Sequence, residues 1–432
     1  PTATTTLRTA LFYTRSNMWG PVQKVAKISE LLILIARDLD IEGQCKLMLV
    51  SKQFFYSVGP LVWERVPRLD FLLKVITGTE VNLSHPQDSQ RPYRKFTEIA
   101  ITLPLNPNLA RYNIYAPWVQ ELEIFAECSQ DIYYAHRFLN LLCGPALPNL
   151  RRLTAHTGAN NMCTKLLINF IDMFMSPSLT EVRTIFHKRD CATYTHPLCV
   201  PGFLKKVQTT CPQIQVLEFY PGTYRTWTIE HFTLSDQCLD TIRSFSSLCS
   251  LTSTTCLLNS KALSILGDLP HLESLGIRSL DLDYPIMDEP LFITENQFER
   301  LTDLRLYSIH HQDIKILWNQ PPIARKIRSA VVQTDPSTAP DPFDGLADGN
   351  SWITSFLMPL PIRCPRLRHL ILRMGDEDAP KFRTSQEVQN ILYEPSLKNI
   401  KIELRNTCDA DDSEDSEDEG SNGEDWSYNW NV

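Results

Sequence analysis

This chain lacks the sequence features that most directly mark an enzyme. It has no GxGxxG or GxxxxGK[ST] loop to wrap phosphates, no GxSxG nucleophile elbow and no HExxH pair. His310-His311 and Asp376-Glu377-Asp378 stand as isolated polar groups suited to solvation, so no catalytic residue is assigned. No apolar run approaches the roughly 18 residues that a membrane-spanning helix needs. No CxxC pair occurs either. The twelve Cys are dispersed over 432 residues, which suits reduced thiols in the cytoplasm or nucleus better than a secreted disulfide framework. The first 29 residues lack acidic side chains and carry Arg8, Arg15, Lys24 and Lys27, a composition close to that of organellar leaders, but a helical pattern follows directly.

Two further absences narrow the partners. His187, Cys191, His196 and Cys199 fall within 13 residues and are zinc-competent donor types, yet their spacing fits no common zinc motif. The expectation is no metal and no cofactor. Basic pairs such as Lys188-Arg189 and Lys205-Lys206 are scattered, and the net charge is −8, which argues against nucleic acid as a partner. A membrane surface is not expected.

What is present begins with a compact helical segment. Ile28, Leu31, Leu32, Ile35 and Leu39 recur at helical spacing and line one face. Ser29 is placed to cap this helix, with Glu30 in its first turn. Asp40 reads as the cap of a second helix, in which Leu47, Val50 and Phe54 keep helical spacing, and Gly59-Pro60 is expected to break a third element. Periodicity alone fits equally well a helical cap on a larger domain.

The order of residues adds more. Glu30-Leu31-Leu32, Leu39-Asp40, the run Leu47-Met48-Leu49-Val50-Ser51-Lys52-Gln53-Phe54, and Trp63 together resemble the F-box, with Ile28-Ser29 standing where that family has Leu-Pro. The resemblance covers about 40 residues. It implies a docking module that binds the Skp-type adaptor of a cullin–RING ubiquitin ligase, and through it the cullin. The adaptor-binding residues would be Ile28, Ser29, Glu30, Leu31, Leu32, Ile35, Leu39, Leu47, Val50, Phe54 and Trp63.

Behind this segment a phrase of the form L-x-x-L-x-L recurs. It appears at Val119-Leu122-Ile124, Leu150-Leu153-Ala155, Leu179-Val182-Thr184, Ile214-Leu217-Phe219, Leu248-Leu251-Ser253, Leu272-Leu275-Ile277, Leu301-Leu304-Leu306, Leu367-Leu370-Leu372 and Leu397-Ile400-Ile402. A poorer copy lies at Phe96-Ile99-Ile101. From Leu122 to Leu304 the middle positions are 31, 29, 35, 34, 24 and 29 residues apart, the period of a solenoid. Between the phrases, Leu166, Leu167, Phe170, Ile171 and Phe174 form one helical stripe, and Leu239, Ile242, Phe245 and Leu248 form another. Leu263, Leu266 and the run 386–393 add further helical copies. Each unit is thus a strand plus a helix that needs its neighbours to bury its apolar side.

This resembles the irregular leucine-rich repeats that follow F-boxes, especially in fungal proteins. The usual Asn after the strand is mostly absent, and Gly158, Gly222 and Gly375 share one equivalent place instead. The expected fold class is α/β: a three-helix F-box-like module at 26–67 after an N-terminal segment 1–25, then an irregular repeat solenoid of parallel strands and helices at 68–405. A Pro-rich insertion is expected near 320–350, with one degraded strand between Ile323 and Val332.

Alternation along each strand sends Glu123, Phe125, Thr154, His156, Arg183, Glu218, Tyr220, Arg278, Arg305, Tyr307, Arg373, Lys401 and Glu403 to the face away from the helices. Arg183, Tyr220, Arg278, Arg305, Tyr307, Arg373 and Lys401 are the candidate target-binding residues there, since Arg and Tyr dominate typical interfaces. The target itself is unnamed by the sequence. At 406–432 an acidic tail is expected to be disordered. Ten carboxylates lie between 409 and 425, so the rest of the chain carries +2, and Ser416 and Ser421 have the acidic flanks of phosphorylation sites. The reading is a non-catalytic, substrate-recognition subunit of a Skp–cullin–F-box ubiquitin ligase. The alternative is a repeat scaffold without a ligase role.

Overall fold

The computed structural model describes residues 29–84, 97–124, 128–156, 171–185, 195–221, 232–279, 285–287, 291–333, 356–374 and 390–406. Three helices open it: α1 (Ser29–Arg37), α2 (Ile41–Met48) and α3 (Lys52–Val62). Asp40 caps α2 as its sequence suggested, accepting from Gly43 N at 2.8 Å. Ser51 caps α3 by accepting from Phe54 N at 3.3 Å, so Val50 falls in the turn between two helices and does not continue α2. Ser29 is the first helical residue, and its hydroxyl accepts from Ser57 Oγ at 3.4 Å, tying α1 to α3.

The expected break at Gly59-Pro60 does not occur, because α3 runs through both residues to Val62. Packing outweighs local preference here. Ser57, Val58, Gly59 and Val62 are buried, and the bare Cα of Gly59 lets the Trp118 ring lie against the helix. Pro60 costs one backbone bond near the helix end, where few remain to be lost.

The strands, in chain order, are β1 (Arg65–Val66), β2 (Glu80–Ser84), β3 (Thr97–Thr102), β4 (Glu121–Ile124), β5 (Cys128–Tyr133), β6 (Arg152–His156), β7 (Glu181–Ile185) and β8 (Val216–Glu218). They continue as β9 (Ser250–Thr254), β10 (Ser274–Arg278), β11 (Asp303–Tyr307), β12 (Ser329–Gln333), β13 (His369–Met374) and β14 (Lys401–Asn406). Eleven of these form one parallel sheet in the order β1-β4-β6-β7-β8-β9-β10-β11-β12-β13-β14, each new strand beside the one before it. The fold is mixed α/β and solenoid-like. β1 belongs to this sheet, so the sheet begins inside the segment expected to end at 67. β2, β3 and β5 form a separate three-stranded sheet, and β3 holds Ile99 and Ile101 of the poorer copy, whose Phe96 lies outside the described residues.

Register follows the repeat phrase. Val66, Leu122, Leu153, Val182, Leu217, Leu251, Leu275, Leu304, Ala330, Leu370 and Ile402 are successive Cα partners, and all but Ile402 are buried. The final copy therefore centres on Ile402 and not on Ile400. Alternation of Ile400, Ile402 and Leu404 fits a strand equally well when slid by two residues, so the pattern alone left the register open. The degraded strand between Ile323 and Val332 is present as β12, with the short helix Pro321–Ala324 before it. The array thus continues to Gln333, and the remainder of the Pro-rich stretch lies outside the described residues.

Ahead of each strand the turns stack as well. The carbonyls of Glu64, Gln120, Arg151, Thr180, Gln215, Cys249, Glu273, Thr302 and Arg328 each accept two successive amides from the next repeat, at 2.7–3.2 Å. Helices such as Val200–Thr210, Asp236–Arg243, Ser260–Gly267 and His311–Trp318 cover one side of the sheet through Phe203, Leu204, Leu239, Ile242, Leu263, Leu266, Ile314 and Leu317, which join the strand leucines in one core. Ser235 and Asn259 cap two of these helices, accepting from Cys238 N at 3.4 Å and Ala262 N at 2.8 Å. Ile171 and Phe174 of the first expected stripe are buried, while Leu166, Leu167 and Phe170 lie outside the described residues.

A Cβ added at Gly59 would sit 2.5 Å from Trp118 Cζ3 and 2.7 Å from Cη2, and that ring is itself held by Phe55, Tyr56 and Tyr115. Gly59→Ala is therefore expected to destabilise the chain by about 1–3 kcal/mol, the usual cost of overpacking. Urea denaturation measures it, and a stability equal to wild type would mean the Trp118 contact is not a constraint.

Candidate functional site

The helical module presents an unusual surface. Leu31 to Ala36 is an unbroken apolar run in a surface helix, and at 100° per residue it must point in every direction. Only Leu32 and Ala36 are buried in α1. Leu31, Leu34, Ile35, Leu39, Leu49, Val50 and Tyr56 are exposed, seven of the nineteen exposed large apolar side chains among the described residues, all between positions 31 and 56. Leu31, Leu34 and Ile35 share one helix face.

The adaptor-binding residues expected from the sequence divide accordingly. Ser29, Glu30, Leu31, Ile35, Leu39 and Val50 are exposed, Leu47 and Phe54 are half-buried, and Ile28 lies outside the described residues. Leu32 and Trp63 are buried. Trp63 turns toward the sheet and packs on Tyr115, with ring centroids 4.5 Å apart. Leu34, Leu49 and Tyr56, which lie outside the expected set, are also exposed.

The sheet face opposite the helices is built from the alternate strand positions. At its β1 end charges interlock across strands: Glu121 bridges Arg65 at 3.2 Å and Arg152 at 3.6 Å, and Glu181 bridges Arg152 and Arg183, each at 2.9 Å. Glu218 accepts from Thr184 N at 2.9 Å. In the middle, Gly276 leaves room for Thr252, whose methyl and hydroxyl would lie 2.6 Å from an added Cβ. At the β14 end, Tyr307, Val331 and Ile371 form a second small apolar cluster. Arg278 lies over the Tyr307 ring at 4.4 Å and Arg373 at 5.7 Å, both within cation–π range. Glu403 bonds Lys401, Arg405 (2.8 Å) and His369 (3.0 Å).

Arg183, Arg278, Arg305, Tyr307, Arg373 and Lys401 stand at outward strand positions of this face and Tyr220 lies just beyond the end of β8, but the face is not an open surface along its length. Tyr220, Tyr307 and Arg373 are buried, Arg183, Arg278 and Arg305 are half-buried, and Lys401 is exposed. Alternation sets which side a residue takes and says nothing about what else packs there. Phe125, His187, Cys191, Asp376, Glu377, Asp378, Ser416 and Ser421 lie outside the described residues.

Other candidate chemistry is limited. His196 Nδ1 accepts from Leu198 N at 3.3 Å as a helix cap. No cluster of three or more His, Cys, Asp or Glu side chains able to hold a metal occurs among the described residues. Cys45, Cys143, Cys199, Cys211, Cys238, Cys249, Cys256 and Cys364 are free thiols. Burial pushes Cys211 and Cys256 up to about 11 and Cys364 up to about 12, the opposite of what a reactive thiolate needs. Among the described residues no helix is long and apolar enough to cross a membrane.

No protein-family model matches the chain, and no curated protein matches it.

The Lys401 ammonium bonded to Glu403, with Arg405 and His369 beside it, holds that carboxyl down at about 2 from its ordinary 4.5. The folded state therefore binds fewer protons there than the unfolded chain, so the stabilisation is complete above about 4.5 and is lost as pH falls toward about 2. Glu403→Gln removes this contribution. Its urea midpoint is expected to fall below wild type at pH 6 and to converge with it as pH drops through that window. A gap independent of pH would show that the ion cluster does not act through Glu403 ionisation.

Proposed function

We propose that the chain is the substrate-recognition subunit of a Skp–cullin–F-box type ubiquitin ligase. Its F-box-like module α1–α3 would hold the Skp-type adaptor, and an irregular leucine-rich-repeat array would hold a target protein. Nothing in this role requires catalysis by the chain, since binding brings the target near the transfer machinery.

One observation carries the reading: large apolar side chains remain exposed on a module whose Ala36, Met48, Val58 and Val62 already lie in the same core as the sheet. Concentrated exposed apolar surface marks an interaction site. The motif residues agree with it, since Leu31, Ile35, Leu39 and Val50 are among the exposed ones. Support for a parallel array comes from the in-register strand leucines and the stacked turns.

A second reading is favoured by the burial of Val58, Val62 and Trp63 against the sheet, which is what the cap of a protein-interaction scaffold would do. The two differ in whether the far side of α1 has a partner. Leu31→Asp combined with Ile35→Asp changes only exposed positions and should preserve the fold, unlike Leu32→Asp, which would place a carboxylate in the core. The double variant is expected to retain a co-expressed Skp-type adaptor at least about tenfold less than wild type while keeping its melting temperature. If wild type fails to retain the adaptor, or both forms retain it equally, the scaffold reading stands.

A further inference from the structure

The two ends of the large sheet are finished differently. At the β1 end the helical module closes the core, and Val66, the first member of the strand row, is buried together with Val62 and Trp63. At the other end β14 has β13 on one side and no further strand among the described residues. The side chains record the difference. Ile402 is the only half-buried member of the row that starts at Val66. The next inward row repeats the result, since Ile277, Leu306, Val332 and Leu372 are buried and Leu404, which follows them on β14, is half-buried. A repeat array needs a closing unit at each end, because its last repeat has apolar surface that no neighbour covers. The main chain points the same way. Lys401 N–H donates toward β13, to Arg368 O at 2.8 Å, so the N–H of Ile402, one residue on, is directed to the open side. A strand edge of this kind accepts an extended segment.

The chain itself carries a segment suited to that edge. In 426–432, Trp426, Tyr428, Trp430 and Val432 alternate with Ser427, Asn429 and Asn431, the period-two pattern of a strand with one apolar and one polar side. Trp, Tyr and Val are also residue types that favour strands, and none of the seven residues is charged. The lengths match. Seven extended residues cover about 23 Å, against about 20 Å for the six of β14. The nineteen residues 407–425 between them span up to about 60 Å, enough for a hairpin return or for the longer crossover that a parallel strand requires.

We propose that 426–432 of this chain is the occupant of the open edge of β14, added as a further strand that lays Trp426, Tyr428 and Trp430 over Ile402 and Leu404 and turns Ser427, Asn429 and Asn431 to the outer face. The acidic stretch 409–425 is then a solvated connector, and the expectation of disorder applies to it alone. Tethering favours this occupant over any free segment, because a short linker supplies an effective concentration of about millimolar. The contact is apolar and main-chain in kind, so it persists when salt screens charge. It stands whether or not the helical module binds an adaptor, and adaptor retention is a separate measurement.

The test compares three forms of the full chain: wild type, a triple variant (Trp426→Ser, Tyr428→Ser and Trp430→Ser), and a rearranged variant (Tyr428→Asn with Asn429→Tyr) that breaks the alternation at constant composition. Amide hydrogen exchange over 400–406 is read by mass spectrometry, with β9 and β10 as an internal measure of the fold. Wild type is expected to exchange 400–406 at least about tenfold more slowly than either variant, while β9 and β10 exchange alike in all three. The difference should remain in about 1 M NaCl. Equal exchange over 400–406 in wild type and the triple variant would overturn the proposal, as would full protection in the rearranged variant. So would a difference that vanishes in salt, which would assign the contact to the carboxylates of 409–425, or one shared equally by β9 and β10, which would mean a general loss of stability.

Discussion

Everything in this molecule depends on neighbour-to-neighbour stacking. No strand of two to six residues is long enough to bury its own leucines, and no flanking helix has an apolar side wide enough to stand alone. The row from Val66 to Leu370 is buried because each member lies between two others and under a helix. The paired amides that share one carbonyl before each strand place the turns in the same register as the side chains. Backbone and core thus repeat together, and the sheet grows by one strand with each repeat.

That arrangement also satisfies the turns that lead into the strands. A buried turn needs its amides satisfied, and in this chain the main-chain carbonyls of Glu64 to Arg328 take two each. Repeat lengths can then vary without disturbing the row that matters. The same logic applies at the N-terminal end, where β1 lends the first two positions of the sheet and Trp63, Tyr115 and Trp118 fill the space between module and array. Asp70 sits fully buried just beyond, held by Arg68 through two bonds of 3.0 and 3.1 Å, so the junction carries its only such charge in a paired state among the described residues.

The repeat phrase made the sheet legible, because a leucine that must face inward recurs wherever a strand does. Leu122 through Leu304 could be aligned from spacing alone. Failures came where two physical signals compete. Gly59-Pro60 has a local preference to end a helix, and the Trp118 ring lying on Gly59 overrides it. Ile400, Ile402 and Leu404 alternate so evenly that either of two registers fits the pattern. At the candidate sites, period identified the direction of Tyr307 and Arg373 correctly, but burial depends on segments distant in sequence, and no local pattern records those. The exposed row of Leu31, Leu34 and Ile35 was in the opposite situation: the run Leu31–Ala36 holds more apolar side chains than one buried stripe can use, and the surplus had to face outward.

The close seating of Trp118 on α3 has a geometric result. With the module packed into the same core as β1 and β4, the exposed helix surface and the sheet form one body, and the sheet becomes a scale graduated in strand spacings of about 4.8 Å. From β1 to β14 there are ten such steps, a contour of about 48 Å. A partner bound beside the Glu121–Arg152–Glu181 ladder and one bound beside Tyr307 would be held at different fixed distances from anything docked on Leu31 and Ile35. Under the proposed role, position along the repeats would set which side chains of a bound protein come within reach of anything docked on the helical module. Selection of that kind works by length, independently of how tightly the protein is held.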